Sequence, residues 1–228
     1  MKNRNRISLW LGVTFLAAFV LWTVLVVSVD VRPIGPEGSS VGFAAINGPV
    51  HEAIGVHWSL YTITDWLGLV PIGVAFGFAV LGLVQLLQRK SLRKVDRSLL
   101  VLGGFYLVVM ALYLLFETVT VNRRPVLIDG ILETSYPSST TLLALCVLPT
   151  AMMQLRSRIR RRSVRIAVLG LLAALTAFMV IGRLVSGVHW LTDIIGALLL
   201  GAGLVSLYAF AARDPGADND GRTAGAEP

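Results

Sequence analysis

Arg183, His189 and Asp193 stand in the pattern Arg-x5-His-x3-Asp, and these residue types at that spacing suit transfer of a phosphoryl group. An arginine offers a planar fork of donors that matches phosphate oxygens. If the stretch is helical, His189 and Asp193 share a face and can hydrogen-bond. A carboxylate on one imidazole nitrogen fixes the tautomer and leaves the other nitrogen free as nucleophile or base. Upstream, Arg123 and Arg124 precede Pro125, and Ser138, Ser139 and Thr140 follow Pro137 where a helix is expected to begin. The unpaired N–H groups and dipole of a helix start favour an anion. The sum is an anion cradle beside an activated histidine. His189, Asp193, Arg183 and Arg124 form the candidate catalytic set, with Ser138, Ser139, Thr140 and Arg123 as candidate substrate-binding residues.

The elements that hold these residues are expected to be membrane helices. Of 228 residues 55% are hydrophobic and only 14% charged, with a mean hydropathy of +0.75; a water-soluble domain carries about 25% charged residues. The single cysteine excludes a disulfide scaffold or a zinc ribbon. A helix crosses the hydrocarbon core with about 20 apolar residues. Six stretches approach that length, at 7–29, 66–87, 99–116, 138–154, 166–185 and 194–212. None alternates with period two, which disfavours a barrel. Pro149 predicts a kink or an end in the fourth. The first follows Lys2, Arg4 and Arg6, yet its apolar run is 23 residues with no A-x-A site, so it reads as a retained helix. The expected architecture is all-α: one six-helix membrane domain over 1–212 and a polar, disordered tail over 213–228.

Charge placement orients the bundle. With six spans, 16 of the 20 basic residues fall on the side of the two termini and four on the other, namely Arg32, Arg123, Arg124 and Arg183. The positive-inside rule then puts both termini in the cytoplasm and the candidate site outside. The net charge of +7 is thus a topology and headgroup signal, and no nucleic-acid partner is expected.

At these residues the chain resembles the type-2 phosphatidic acid phosphatase superfamily, whose site is related to that of vanadium haloperoxidases. The family pattern is Lys-x6-Arg-Pro, then Pro-Ser-Gly-His, then Ser-Arg-x5-His-x3-Asp. Here the three parts read Glu117-x6-Arg124-Pro125, Pro137-Ser138-Ser139-Thr140 and Gly182-Arg183-x5-His189-x3-Asp193. The resemblance implies a membrane lipid phosphatase that needs no metal or other cofactor. His189 would attack phosphorus, Asp193 would orient the ring, and Arg124 and Arg183 would stabilise the oxygens of the transition state.

Two departures concern the chemistry directly. Glu117 stands where the family has a phosphate-binding lysine, an anion in place of a cation; it reads equally as a functional residue or as an ion-pair partner, with Arg123 at hand, and facing away is a third reading. Thr140 stands where the family has a histidine that protonates the leaving group, a contribution typically of about 10²–10⁴-fold. A leaving group that is itself a phosphate needs less protonation, which favours a lipid diphosphate such as undecaprenyl pyrophosphate. His57 is a candidate substitute, because Gly55-Val-His57-Trp58 with Thr64-Asp65 and Gly68 echoes Gly187-Val-His189-Trp190 with Thr192-Asp193 and Gly196. Chance or an interfacial anchor also explains the echo. Ser138–Thr140 likewise reads as a plain helix cap, and the five tryptophans as an interfacial belt.

The expected function is hydrolysis of a lipid phosphate or pyrophosphate at the outer leaflet. The alternatives are a catalytically impaired relative that binds or transports a phospholipid, and a phosphotransferase with a lipid or sugar acceptor.

Overall fold

A computed structural model describes residues 2–213. The expected tail beyond Arg213 lies outside the described residues. Eight α-helices follow in order: α1 (Lys2–Ser28), α2 (Ala44–Ile54), α3 (Trp58–Leu67), α4 (Leu69–Arg89), α5 (Arg97–Thr118), α6 (Ser139–Arg158), α7 (Arg162–Val185) and α8 (Leu191–Ala211). The described residues contain isolated β-bridges and no strand.

Among the described residues five stretches are long and apolar enough to cross a membrane: Arg6–Ser28, Trp58–Arg89, Arg97–Thr118, Arg162–Val185 and Leu191–Ala211. The expected second span is the later part of Trp58–Arg89, in which α3 and α4 abut at Gly68. The sixth long helix, α6, is the expected fourth span and has a physical reason to be less apolar. It packs against α4, α5, α7 and α8, burying Thr141, Thr150 and Gln154 along with its apolar residues. A helix surrounded by helices needs fewer lipid-compatible side chains than one facing lipid. Pro149 neither ends nor interrupts it, for the helix continues to Arg158. Next to that proline, the Thr150 hydroxyl donates to the Cys146 and Val147 carbonyls at 2.7 and 3.0 Å.

The core lies between α1, α5, α6 and α8. Phe19, Leu102, Phe105, Leu142, Leu200 and Leu204 are among its buried residues. Small residues permit close approach between α1 and α8: a Cβ on Gly12 would meet Leu207, and one on Gly203 would meet Leu16, within 3 Å. The C-terminal ends of α5 and α7 and the starts of α6 and α8 converge at one end of the bundle. The residues singled out from the sequence lie at that end.

Candidate active site

The turn between α7 and α8 places His189. Ser186 closes α7 with its N–H on the Gly182 carbonyl, and Gly187 follows at φ 72°, a conformation that favours glycine. A Cβ there would also fall 1.9 Å from the Gly55 carbonyl oxygen. The two Gly-Val-His-Trp segments thus lie back to back, tied by the His57 N–H donating to the Ser186 carbonyl at 3.0 Å.

His189 itself precedes α8, and Asp193 sits in its first turn. The pair therefore does not meet across a helical face as the spacing suggested. Asp193 instead turns back toward the helix entrance, where its Oδ2 accepts the Trp190 N–H at 2.9 Å and lies 3.7 Å from His189 Nδ1. Both residues are buried.

On the other edge of the ring, His189 Nε2 lies 3.3 Å from Arg124 Nη1 and 3.3 Å from Arg183 Nη2. Guanidinium groups have no acceptor. Nε2 is therefore the lone-pair nitrogen and the ring proton belongs on Nδ1, toward Asp193. Burial and the two arginine charges hold the His189 pKa well below the ordinary imidazole value. The ring is neutral, with its free lone pair between two cations.

The arginines are positioned differently. Arg124 lies on a loop between α5 and α6 that folds on itself through the Arg123–Thr134 and Ile128–Ile131 bridges. Its N–H donates to the Glu133 carbonyl at 3.1 Å, and its Nε pairs with the Glu133 carboxylate at 2.9 Å. Arg183, in the last turn of α7, is 1% exposed. Its Nη1 donates to Thr64 Oγ1 at 3.5 Å and lies 3.7 Å from Asp65 Oδ1. The guanidinium also stands over the Tyr61 ring, 5.1 Å from its centroid. Both forks face the same imidazole nitrogen, an arrangement able to grip the oxygens of a phosphoryl group next to a nucleophile.

The second motif lies beside this centre. Ser138 is fully buried; its N–H donates to the Asp193 carbonyl at 3.3 Å and its hydroxyl bonds Thr141 Oγ1 at 2.9 Å. It is therefore engaged within the protein and does not cap α6, which starts at Ser139 with no side-chain cap. The first-turn N–H groups of Ser139 and Thr140 keep the anion-binding character of a helix start. Arg123 is directed away from the ring, with Nη1 donating to the Leu132 carbonyl at 2.9 Å. Glu117 is exposed at the end of α5 and forms no ion pair with Arg123. The His57 side chain is also exposed, bonding the Ile54 carbonyl at 2.9 Å.

Several supporting residues carried no sequence signal of their own. Asn122 Nδ2 donates to Asp193 Oδ1 at 3.3 Å. Asn47 of α2, a helix absent from the expected elements, donates to Thr192 Oγ1 at 2.9 Å and accepts the Thr192 N–H at 3.3 Å. Trp190 is not a belt residue: it is 2% exposed and its indole donates to the Arg123 carbonyl at 2.7 Å. Trp22 likewise donates to the Thr192 carbonyl at 3.1 Å. Trp190 thus ties the loop that presents Arg124 to the segment that presents Asp193, and Trp22 ties that segment to α1. Thr64 and Asp65, by contrast, were legible in the echo of Thr192-Asp193, although the echo drew attention to His57 instead.

Comparison with known proteins bears on this centre. No curated protein matches the chain. A crystal structure of a transmembrane PAP2-type phosphatidylglycerolphosphate phosphatase from Bacillus subtilis is similar over 92% of this chain and 97% of that one, at 20% sequence identity and a TM-score of 0.49. Residues 116–214 match the family model of the PAP2 superfamily. That stretch, similar to the PAP2 superfamily, holds Arg124, Ser138, Arg183, His189 and Asp193 on the elements just described.

Proposed function

We propose that this chain is a membrane phosphatase that hydrolyses a lipid phosphate, and that its preferred substrate is a lipid diphosphate of the undecaprenyl pyrophosphate type. The family match supports a lipid phosphatase in general. The observation that carries the reaction route is His189 Nε2 lying 3.3 Å from each of two guanidinium groups. In the first step Nε2 attacks the terminal phosphorus, the bond to the bridging oxygen breaks, and the lipid monophosphate leaves. Arg124 and Arg183 hold the equatorial oxygens as charge redistributes. Asp193 stabilises the ring as it becomes positive. Water then displaces the phosphohistidine and releases phosphate.

The preference for a diphosphate follows from Thr140, which cannot protonate an alkoxide leaving group at neutral pH. The site faces outward and both termini lie in the cytoplasm, because the basic residues crowd the opposite end of the bundle. Residues 1–212 act as one domain. The route needs no metal, since the positive charge it requires comes from the two arginines.

Phosphate release by purified protein in detergent tests this reading. Release from undecaprenyl pyrophosphate should exceed release from phosphatidic acid and should be unchanged by EDTA. Activity that EDTA abolishes would overturn the metal-free route, and release of phosphate only onto an added lipid or sugar hydroxyl would favour a transferase.

The pH profile has a defined sign. Protonated His189 has no nucleophilic lone pair, and the native environment disfavours that proton. The value of kcat/KM should therefore stay level as pH falls through the ordinary imidazole range near 6.5, declining only in more acid solution. Stability runs the same way: the unfolded chain binds this proton more readily, so acidification below about 6.5 favours unfolding. An acid limb at or above the ordinary imidazole value would contradict the assignment of His189 as the neutral nucleophile.

A further inference from the structure

Helix α3 lies outside the matched segment, yet two positions where the chain departs from the family pattern lie against it. Gly182 stands where the pattern has serine, and a Cβ there would come within 2.8 Å of the Thr64 methyl. Thr140 stands where the pattern has histidine; its methyl lies 3.1 Å from where a Cβ on Gly68 would be. Both positions thus pack against one end of α3. That same end brings a carboxylate to the centre, with Asp65 Oδ1 3.7 Å from Arg183 Nη1 and 58% of its side chain exposed. Arg183 in turn reaches His189 Nε2. Asp65 and the nucleophile are therefore one guanidinium apart.

We infer that Asp65 is the general base of the second step, the hydrolysis of phosphohistidine; this rests on the reaction route proposed above. A water oxygen forms a bond to phosphorus as the P–Nε2 bond breaks, and that electron pair returns to Nε2. The water proton passes to an Asp65 carboxylate oxygen and from there to solvent. The other acidic groups near the centre are less suited. Glu133 is held on Arg124 Nε at 2.9 Å, and Asp193 is fully buried and accepts from Trp190 and Asn122. Asp65 is held more loosely and is open to solvent, so it can receive a proton and release it. Arg183 between them screens its charge from the phosphoryl oxygens. Acting as a base, Asp65 gives no proton in the first step, so the lipid leaves as a stable anion. That matches a diphosphate substrate.

Rapid-quench kinetics with a polyprenyl diphosphate labelled in its terminal phosphate tests this, using the parent, Asp65→Asn, Asp65→Glu and His189→Ala. Asp65→Asn keeps the size and polarity of the side chain, and its melting temperature controls for folding. It should lower steady-state turnover about 10²-fold, as loss of a general base does. It should still release lipid monophosphate in a first-turnover burst, and acid-labile, alkali-stable label should accumulate on the protein. His189→Ala should show no label, and Asp65→Glu should recover part of the turnover. Parent-like turnover in a folded Asp65→Asn protein would overturn the inference. So would equal loss of burst and steady state without labelled protein. An inactive parent would overturn the phosphohistidine reading itself, and the inference with it; parent activity therefore separates the two failures.

Discussion

Alanine at His189 is expected to lower phosphate release from a lipid diphosphate by about 10⁴-fold or more, the scale on which removing a covalent nucleophile acts. The argument is geometric. Nε2 is the atom at which the Arg124 and Arg183 forks meet, which places it to attack a phosphoryl group that both forks hold. Loss of the ring leaves the cradle its charge, and the variant should still bind the lipid. The signature is therefore a collapse of kcat with KM changed little, in protein that elutes and melts like the parent. A carrier or binder needs no nucleophile. If the variant kept the parent's rate of phosphate release, His189 would not be the nucleophile; if neither protein released phosphate while both bound lipid, the non-hydrolytic alternative would replace the phosphatase reading.

The membrane bundle was legible because hydrocarbon imposes a length and a composition that few other environments require. The six stretches read from the sequence correspond to α1, the α3–α4 region, α5, α6, α7 and α8. The buried α6 showed the limit of that reading. Its neighbours, not lipid, set its composition, so hydropathy underestimates it, and Pro149 did not interrupt it. At the site, spacing carried the Arg183–His189–Asp193 relation well but not its geometry. The same separation of four residues can be made by a helical face or by a turn ending in an N-terminal cap, and Gly187 with its positive φ selects the second. Asn47, Asn122, Trp22 and Trp190 were not legible, because a lone asparagine or tryptophan has no periodic signature and acquires its meaning only from a distant partner. Trp22 reaches across 170 residues to the Thr192 carbonyl. Asp65 was visible in the internal echo, but sequence alone favoured the echo's histidine over its aspartate. The fold reverses that preference by turning His57 outward and bringing Asp65 to Arg183.

Arg183→Lys should be nearly as damaging to turnover as it is conservative in charge, lowering kcat by about 10²–10³-fold, the scale seen when one transition-state donor is removed. Arg183 uses its fork in two directions at once: Nη2 faces His189 Nε2, while Nη1 faces Thr64 and Asp65. A lysine ammonium is a point charge on a flexible stem and cannot span both. It also lacks the planar surface that lies over Tyr61. Steady-state kinetics on the folded variant checks this, with Arg124→Lys alongside. Arg124 makes a separate ion pair through Nε and is supported by its main-chain bond to Glu133, so its loop should hold its place when the fork is lost. Its substitution should therefore weaken turnover less. Parent-like kcat in Arg183→Lys would mean that positive charge alone suffices at this position. In that case the fork geometry, and the bridge from Asp65 through Arg183 to the nucleophile, would have no part in the reaction.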